Sequence, residues 1–210
     1  MSLEENILKT IKKIREDEKN KRNFNQTIDL IINLRDFDVR RSAFNVFITL
    51  PHKINDKKVM GFLEKKSNIV DTITKDDFVR FKEKKEIKKL VKNYDFFIAN
   101  AKLMPAIAST FGRILGPAGK MPSPQLGVIT NEEEKTIQDI LKKINSTVRI
   151  RVKEPSIKIG IGKESLKDNE IMENILNVYN KVIELLPRKK ENIKNIMIKL
   201  TMSKPVIVEV

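Results

Sequence analysis

The first part of the chain carries apolar residues at helical spacing. Between residues 4 and 19, four such residues share one face of a helix and charged residues fill the rest: Ile7, Leu8, Ile11 and Ile14. This pattern predicts an amphipathic helix that packs on a sheet. The segment lacks both an apolar core and a small-residue cleavage site, so we expect a folded helix and not a secretion signal.

Two segments rich in β-branched residues follow, at 26–33 and 43–50, and turn or charge signals bound both. The short charged stretch between them predicts two strands that pair with each other. Pro51 ends the second strand, because proline has no amide hydrogen to donate to a neighbouring strand. A polar connector comes next and predicts a domain boundary near residue 53.

The middle of the chain alternates short apolar runs with charged helical segments, which is typical of a parallel α/β unit. The predicted strands are 59–63, 69–73 and 96–99. The predicted helices are 85–92, 105–115 and 132–144. The last helix has the clearest start, since Thr130 and Asn131 precede three glutamates that lie near the positive end of its dipole.

The last third of the chain returns to strands joined by turns. Segments 148–152 and 157–161 flank a Lys-Glu-Pro-Ser sequence, which predicts a β-hairpin. A long amphipathic helix is predicted at 168–186, where Pro187 ends it. Final strands are predicted at 193–200 and 206–210.

The two ends of the chain thus share an α+β character, and the middle differs from them. The simplest arrangement is one domain made from both terminal segments, 1–53 and 148–210, with a second, α/β domain inserted at 54–147.

Composition narrows the functional class. The chain has 42 Lys and Arg against 28 Asp and Glu, a formal net charge of +14. This surplus favours a polyanionic partner, because each neutralised phosphate releases condensed counterions. Basic charge alone also fits an ordinary soluble protein.

Other classes are disfavoured by what the composition lacks. The chain has no Cys and a single His, His52, so we predict no disulfide, no metal site and no cofactor. No window approaches the roughly 18 apolar residues of a membrane span. We therefore expect a cytoplasmic protein without a membrane partner.

The window from Pro105 to Gly127 contains four of the seven Gly and four of the eight Pro residues. Such a concentration predicts a defined backbone path. A phosphate-binding P-loop is the sharpest alternative. It fails on spacing, since it would need glycine in place of Ile114 and a hydroxyl residue in place of Met121.

A dinucleotide fingerprint fails as well. Gly160 and Gly162 lie in a predicted strand, and the third glycine position holds Ser165. His52 is a lone histidine without an accompanying Ser or Cys nucleophile motif. We predict no catalytic residue and expect that the chain is not an enzyme.

Three segments of the terminal halves suit RNA. Residues 24–27 combine an aromatic ring with amide and hydroxyl groups, residues 158–165 combine glycines with lysines, and residues 201–204 form a small polar turn. Such groups fit phosphate and ribose 2′-OH contacts, although each segment alone also fits an ordinary turn. Aromatic residues are 6% of the chain and Trp is absent, so folded RNA is a better target than single strands.

Three motifs carry a family resemblance. They are FGRILGPAGKMPSP at Phe111–Pro124, VRRSAFNVFITLPH at Val39–His52, and KLTMSKP at Lys199–Pro205. With these motifs in order, the chain resembles over nearly its whole length the family of the first-numbered protein of the large ribosomal subunit, in its shorter archaeal form. The resemblance implies an α+β terminal-segment domain with an inserted α/β Rossmann-like domain.

The resemblance and the three RNA-suited segments together predict one RNA-binding site. Its expected residues are Phe24, Gln26, Thr27, Asp29, Lys158, Gly162, Lys163, Ser165, Asn195, Thr201, Met202, Ser203 and Lys204. Two of them depart from the family pattern, since Ser203 stands where a glycine is common and Asn195 where a serine is common.

The resemblance also implies a function. Proteins of this family bind a stalk element of large-subunit rRNA in the 50S subunit, move with deacylated exit-site tRNA as it leaves, and repress translation of their own mRNA. A free translational repressor and a nucleotide-dependent enzyme are the alternative functions. The failed phosphate motifs disfavour the enzyme.

Overall fold

The computed structural model describes residues 2–17 and 22–209, with the backbone alone for Lys82. The chain groups into two compact units. The terminal unit consists of Met1–Asn55 and Ser146–Val210, and the inserted unit is Asp56–Asn145. The end of the predicted first helix, 18–19, and Val210 of the last predicted strand lie outside the described residues.

Helix α1 (Leu3–Glu16) begins at a capping box. The Ser2 hydroxyl accepts a hydrogen bond from the Glu5 amide at 3.3 Å, and the Glu5 carboxylate accepts one from the Ser2 amide at 3.1 Å. Ile7, Ile11 and Ile14 are buried, as the helical spacing predicts. This apolar stripe lies in the core of the terminal unit.

The terminal sheet covers α1 and the long helix α6 (Asp168–Leu185) with one face. Its four antiparallel strands lie in the order β10, β9, β1, β8, and they span Val206–Val208, Ile193–Leu200, Thr27–Leu34 and Ser156–Lys163. Buried and half-buried residues alternate strictly along β1. Ile28, Leu30 and Ile32 enter the core, so the residues between them point away from it.

The terminal unit also contains a separate two-stranded sheet, β2 (Asn45–Thr49) with β7 (Thr147–Arg151). The predicted pairing of 26–33 with 43–50 is therefore wrong, and so is the predicted hairpin of 148–152 with 157–161. In the first case the short helix α2 (Val39–Ser42), capped by the Asp38 carboxylate, redirects the chain between the two strands. In the second, β7 and β8 join different sheets.

The inserted unit is built on a parallel sheet. Its strands lie in the order β4, β3, β5, β6, and they span Asp71–Ile73, Val59–Phe62, Phe96–Asn100 and Val128–Ile129. Helices α3, α4 and α5 span Lys84–Asn93, Met104–Ala118 and Glu134–Ser146. The pattern did not predict β6, which has only two residues, or the 3-10 helix at Lys75–Lys82.

Both faces of the parallel sheet are covered. Phe62, Phe97 and Ile73 enter a cluster with residues of α3 and α4, including Phe111, whose ring centroid lies 5.0 Å from that of Phe62. Val59, Ile98 and Ile129 enter a second cluster with α5. The strands of such a parallel sheet are buried on both sides, so their sequences are continuous apolar runs.

The glycine-rich and proline-rich window forms nearly all of α4 and the turns that follow it. Gly119 ends that helix in the left-handed conformation, with φ of 71°. The next residue, Lys120, donates from Nζ to the carbonyls of Val91 at 2.8 Å and Tyr94 at 2.7 Å. These carbonyls end α3, so the ammonium group of Lys120 caps that helix.

Within the described ranges, no helix has the length and apolar character needed to cross a membrane.

Candidate nucleic-acid interface

The outward face of the terminal sheet, here named the open face, carries half-buried and exposed side chains from all four strands. Strand register arranges them in four rows across the sheet. In order from one end, the rows are Lys163 and Thr27; Gly160, Asp29 and Lys199; Lys158, Ile31, Met197 and Ile207; Ser156, Asn33 and Asn195.

The Asn33 row is held by side-chain hydrogen bonds. Asn33 donates from Nδ2 to Asn195 Oδ1 at 2.7 Å, and the Ser156 hydroxyl donates to Asn33 Oδ1 at 2.9 Å. Asn195 stands where the family commonly has a serine, and its amide oxygen is engaged by this contact.

The Asp29 row combines opposite charges. Asp29 lies opposite Lys199 in the strand register. Burial raises the pKa of the Asp29 carboxyl, and the positive charge of Lys199 partly opposes that rise. Gly160 lies on the other side of Asp29, where an added Cβ would meet Asp29 Oδ1 at 3.5 Å and Thr27 Cγ2 at 3.1 Å. The glycine therefore keeps the carboxylate accessible.

The Thr27 end of the open face is fixed by main-chain and hydroxyl contacts. The Thr201 amide donates to the Thr27 carbonyl at 3.0 Å, and the Thr27 amide donates to the Thr201 hydroxyl oxygen at 3.1 Å. The Thr201 hydroxyl in turn lies 3.3 Å from the Thr27 carbonyl oxygen and donates to it. Both threonines are thus held in place before any ligand arrives.

The turn after β9 presents Met202 to solvent. Its side chain is 60% exposed, while its amide donates to Gln26 Oε1 at 3.2 Å. Ser203 closes the turn, because its hydroxyl oxygen accepts from the Leu200 amide at 2.8 Å. The backbone at Ser203 is not among the positive-φ positions, so a serine is tolerated where the family commonly has glycine.

Two further segments meet at this end of the sheet. Asn25 donates from Nδ2 to the Ser165 hydroxyl at 3.0 Å, and the Ser165 amide donates to Asn25 Oδ1 at 3.2 Å. The neighbouring Phe24 ring is 52% exposed. Lys204, which follows the Met202 turn, is also exposed. Parts of all three RNA-suited segments therefore meet at one end of the terminal sheet, while Lys158 lies two rows away along β8.

The structure places two predicted residues away from the surface. Gln26 is fully buried beneath the Met202 turn. Gly162 points into the core, where an added Cβ would meet Leu166 at 3.1 Å and Ile171 at 3.4 Å. A β-bulge at Ile28/Asp29 causes this, since it leaves an extra residue on β8 and reverses the facing of the positions beyond it. Gln26 and Gly162 are therefore in contact with protein neighbours and are not exposed on the open face.

Sequence reasoning missed several residues of the open face. These are Ile31, Asn33, Ser156, Met197, Lys199 and Ile207. Gly160 belongs to the RNA-suited segment 158–165 but was not among the expected site residues. Their signal was present, because every second residue of a strand shares a face. This alternation identifies the outward residues only after the structure shows which residues of each strand face the core.

Comparison with known proteins gives the family. The model of the Ribosomal protein L1p/L10e family matches residues 7–204. A protein named large ribosomal subunit protein uL1 from Nanoarchaeum equitans is 38% identical over 205 residues, which cover 91% of this chain and 94% of the relative.

Two other archaeal proteins of the same name agree. The one from Thermococcus kodakarensis is 36% identical, over 90% of each chain. The one from Methanobrevibacter smithii is 33% identical, over 93% of this chain and 95% of the relative. These relatives are named as ribosomal proteins, a structural class, which confirms the prediction that the chain is not an enzyme. On this evidence the chain belongs to the Ribosomal protein L1p/L10e family and is of the archaeal type.

Proposed function

We propose that the open face, with the Phe24 and Met202 edge, binds folded rRNA of the large ribosomal subunit. The observation that carries this proposal is the strand register, which gathers Lys158, Lys163 and Lys199 with hydroxyl and amide groups on one accessible face. Lysines bind phosphates, and the hydroxyl and amide groups fit the 2′-OH and base edges of a shaped RNA.

The edge adds apolar contacts to these polar rows. Phe24 and Met202 expose large apolar side chains next to the paired threonines. Such side chains stabilise binding when they lie against a ribose or a base, and they have no core to enter in the free protein. We infer that these two residues are the main apolar contacts of the interface.

We also propose the wider role that the family resemblance implies. As a structural constituent of the 50S subunit in the cytoplasm, the protein forms the mobile stalk beside the exit site and assists release of deacylated tRNA. An RNA-binding face that reads shape also accepts a messenger that folds into the same shape. Repression of its own mRNA would use the open face in competition with rRNA.

The test uses the full chain and a stalk fragment of large-subunit rRNA. Phe24→Ala should weaken binding by roughly 1 to 3 kcal/mol, the range for an aromatic contact to a base. Met202→Ala should also weaken binding, because it removes an exposed apolar side chain. Val79→Ala is the matched control, because Val79 is 64% exposed in the inserted unit. Unchanged affinity in both edge variants, with both still folded, would contradict the proposed interface.

The same titration separates rRNA binding from messenger repression. The wild-type chain is bound to the rRNA fragment, and a transcript of its own leader is added as competitor. Displacement supports one shared face. A transcript that binds without displacing rRNA would place repression on another surface.

A further inference from the structure

The parallel sheet of the inserted unit has a switch point between β3 and β5. After β3 the chain runs to β4 on one side of the sheet, and after β5 it runs to β6 on the other side. The two connections diverge, and in open α/β sheets such a divergence places a crevice beyond the carboxyl ends of the strands. Open α/β sheets bind their ligands at this place.

In this chain the crevice contains the carboxylate of Glu132, from the connection that follows β6. Oε1 accepts from the Glu64 amide at 2.7 Å, and Oε2 accepts from the Lys65 amide at 3.1 Å. Oε1 also accepts from Asn100 Nδ2 at 2.6 Å. The donors come from the ends of β3 and β5, so three consecutive strand ends meet at one carboxylate.

The donors are held in position by other contacts. Asn100 is buried at the end of β5, and its Oδ1 accepts from the Lys102 amide at 3.0 Å, which turns Nδ2 toward Glu132. Glu64 and Lys65 are consecutive in the chain, so their amides point at the carboxylate as a pair. Consecutive main-chain N–H groups of this kind form a concavity that binds anions.

The electrostatics also favour a negative charge. Burial raises the pKa of the Glu132 carboxyl, but the opposing causes together, chiefly the hydrogen bonds from Glu64, Asn100 and Lys65, bring it below its ordinary value. The positive charge of Lys102 acts in the same direction. The Lys102 ammonium lies 3.5 Å from the Glu64 carboxylate, so it remains close to the crevice.

We propose that the switch-point crevice is an anion site whose anion the chain itself supplies, as the Glu132 carboxylate, and that it binds inorganic phosphate once that side chain is removed. The donor set suits phosphate oxygens as well as carboxylate oxygens, because both accept from N–H groups at the same distance. The internal carboxylate thus closes the crevice to phosphate-bearing ligands in the native chain.

The proposal accounts for a property of the inserted unit. Its sheet is parallel and has a switch point, yet the sequence has no nucleotide motif. A carboxylate tethered to the chain has a very high local concentration, so a free phosphate group does not displace it. Because the carboxylate occupies the crevice, no phosphate group enters it, and a glycine-rich phosphate-binding loop would have no ligand there.

The test is a titration of the Glu132→Ala chain with inorganic phosphate, followed through the amide NMR signals of Glu64 and Lys65. Sodium chloride of equal ionic strength and the wild-type chain are run in parallel. We expect saturable shifts of these two amides in the variant, with a dissociation constant on the order of 1 mM, and none in the wild type. Glu133→Ala is the matched control, because Glu133 is exposed one residue away.

Phosphate also stabilises proteins in general through exclusion from their surface. This general effect should be equal in the three chains. Because specific binding adds to it in Glu132→Ala, phosphate should raise the midpoint of thermal unfolding more in that variant than in Glu133→Ala or the wild type. If Glu132→Ala is unfolded in chloride, refolding by phosphate or acetate but not by chloride supports the site. Amides of Glu64 and Lys65 that do not respond, or a variant that neither anion refolds, would overturn it.

Discussion

The two sheets of this protein differ in what they leave exposed. The terminal sheet is antiparallel, buries one face under α1 and α6, and leaves lysines, hydroxyls and amides on the other. The inserted sheet is parallel, buries both faces, and fills its carboxyl edge with Glu132. Both units are basic, so charge alone does not separate them. The proposed RNA site therefore combines positive charge with an accessible polar face, which the terminal sheet has.

The largest expected difference in RNA binding is between the terminal unit and the inserted unit, each prepared as a separate protein. A chain that joins 1–55 to 146–210 by a short linker keeps one complete apolar core. It should retain most of the affinity for stalk rRNA, whereas residues 56–145 alone should show no specific binding. Filter binding measures this, and circular dichroism checks that each piece is folded. Specific binding by the inserted unit would reverse the comparison.

The paired threonines offer a finer test. Thr201→Val removes the hydroxyl that accepts from the Thr27 amide, while the volume stays nearly the same. The affinity for rRNA should fall by roughly 1 to 3 kcal/mol, because a 2′-OH at this edge loses its partner. The dependence of affinity on salt should not change. Thr201→Ser keeps the hydroxyl and is the control; an equal loss in both variants would mean that the methyl group, not the hydroxyl, matters.

Lys163 should respond differently from Thr201. If it binds a phosphate, Lys163→Ala lowers the slope of log affinity against log salt by about 0.9. Lys89→Ala is the matched control, since Lys89 is an exposed lysine on α3 of the inserted unit. Titrations at several salt concentrations give both slopes. Equal slope changes in the two variants would indicate that the whole basic surface, and not the open face, attracts RNA.

Two glycines of the motif Phe111–Pro124 test whether this motif contributes to folding stability and not to RNA binding. Gly119 has φ of 71°, so Gly119→Ala should destabilise the chain by about 1 kcal/mol. Gly112 lies within α4, with open space where a Cβ would be. Gly112→Ala should stabilise the chain by about 0.5 to 1 kcal/mol. Denaturant unfolding measures both, and RNA affinity should stay unchanged in each.

The smallest effect is expected at Asp29. Its pKa in the folded chain lies above the unfolded value of 3.8, so the folded state holds the proton more tightly. That contribution to the free energy of unfolding is complete below pH 3.8 and is lost as pH rises through the folded pKa. Asp29→Asn should therefore stabilise the chain at neutral pH, by less than about 1 kcal/mol after solvent screening. Denaturant unfolding should show that the gain disappears in acid; a gain that persists there would indicate another cause.

The sequence predicted most elements but not their partners. Helices at 168–186 and 105–115 correspond to α6 and to the larger part of α4, because apolar spacing and caps act within a few residues. The partners of β1 are β8 and β9, whose paired residues lie more than 120 positions away in the chain. Proximity in sequence wrongly favoured the strand at 43–50.

The candidate site also has a part that the sequence predicted and a part that only the strand register decided. Residue types and family motifs predicted Phe24, Thr27, Thr201 and Met202 as site residues, and hydrogen bonds place Thr27 and Thr201 beside the Met202 turn. A single bulge in the pairing of β1 with β8 decides which glycine faces outward. It turns Gly162 toward the core and leaves Gly160 on the open face. A bulge depends on the register of two distant strands, so no local pattern predicts it.

Glu132 marks the limit of sequence reasoning. The sequence by itself determined that a helix begins near it, since polar caps and acidic residues stabilise a helix start over one turn. Its carboxylate instead binds amides of Glu64 and Lys65, nearly 70 residues earlier in the chain. Local composition therefore determined the elements and the basic character of this protein. Only the tertiary structure decided which polar groups are buried against each other and which remain open, because that choice depends on how whole faces are packed.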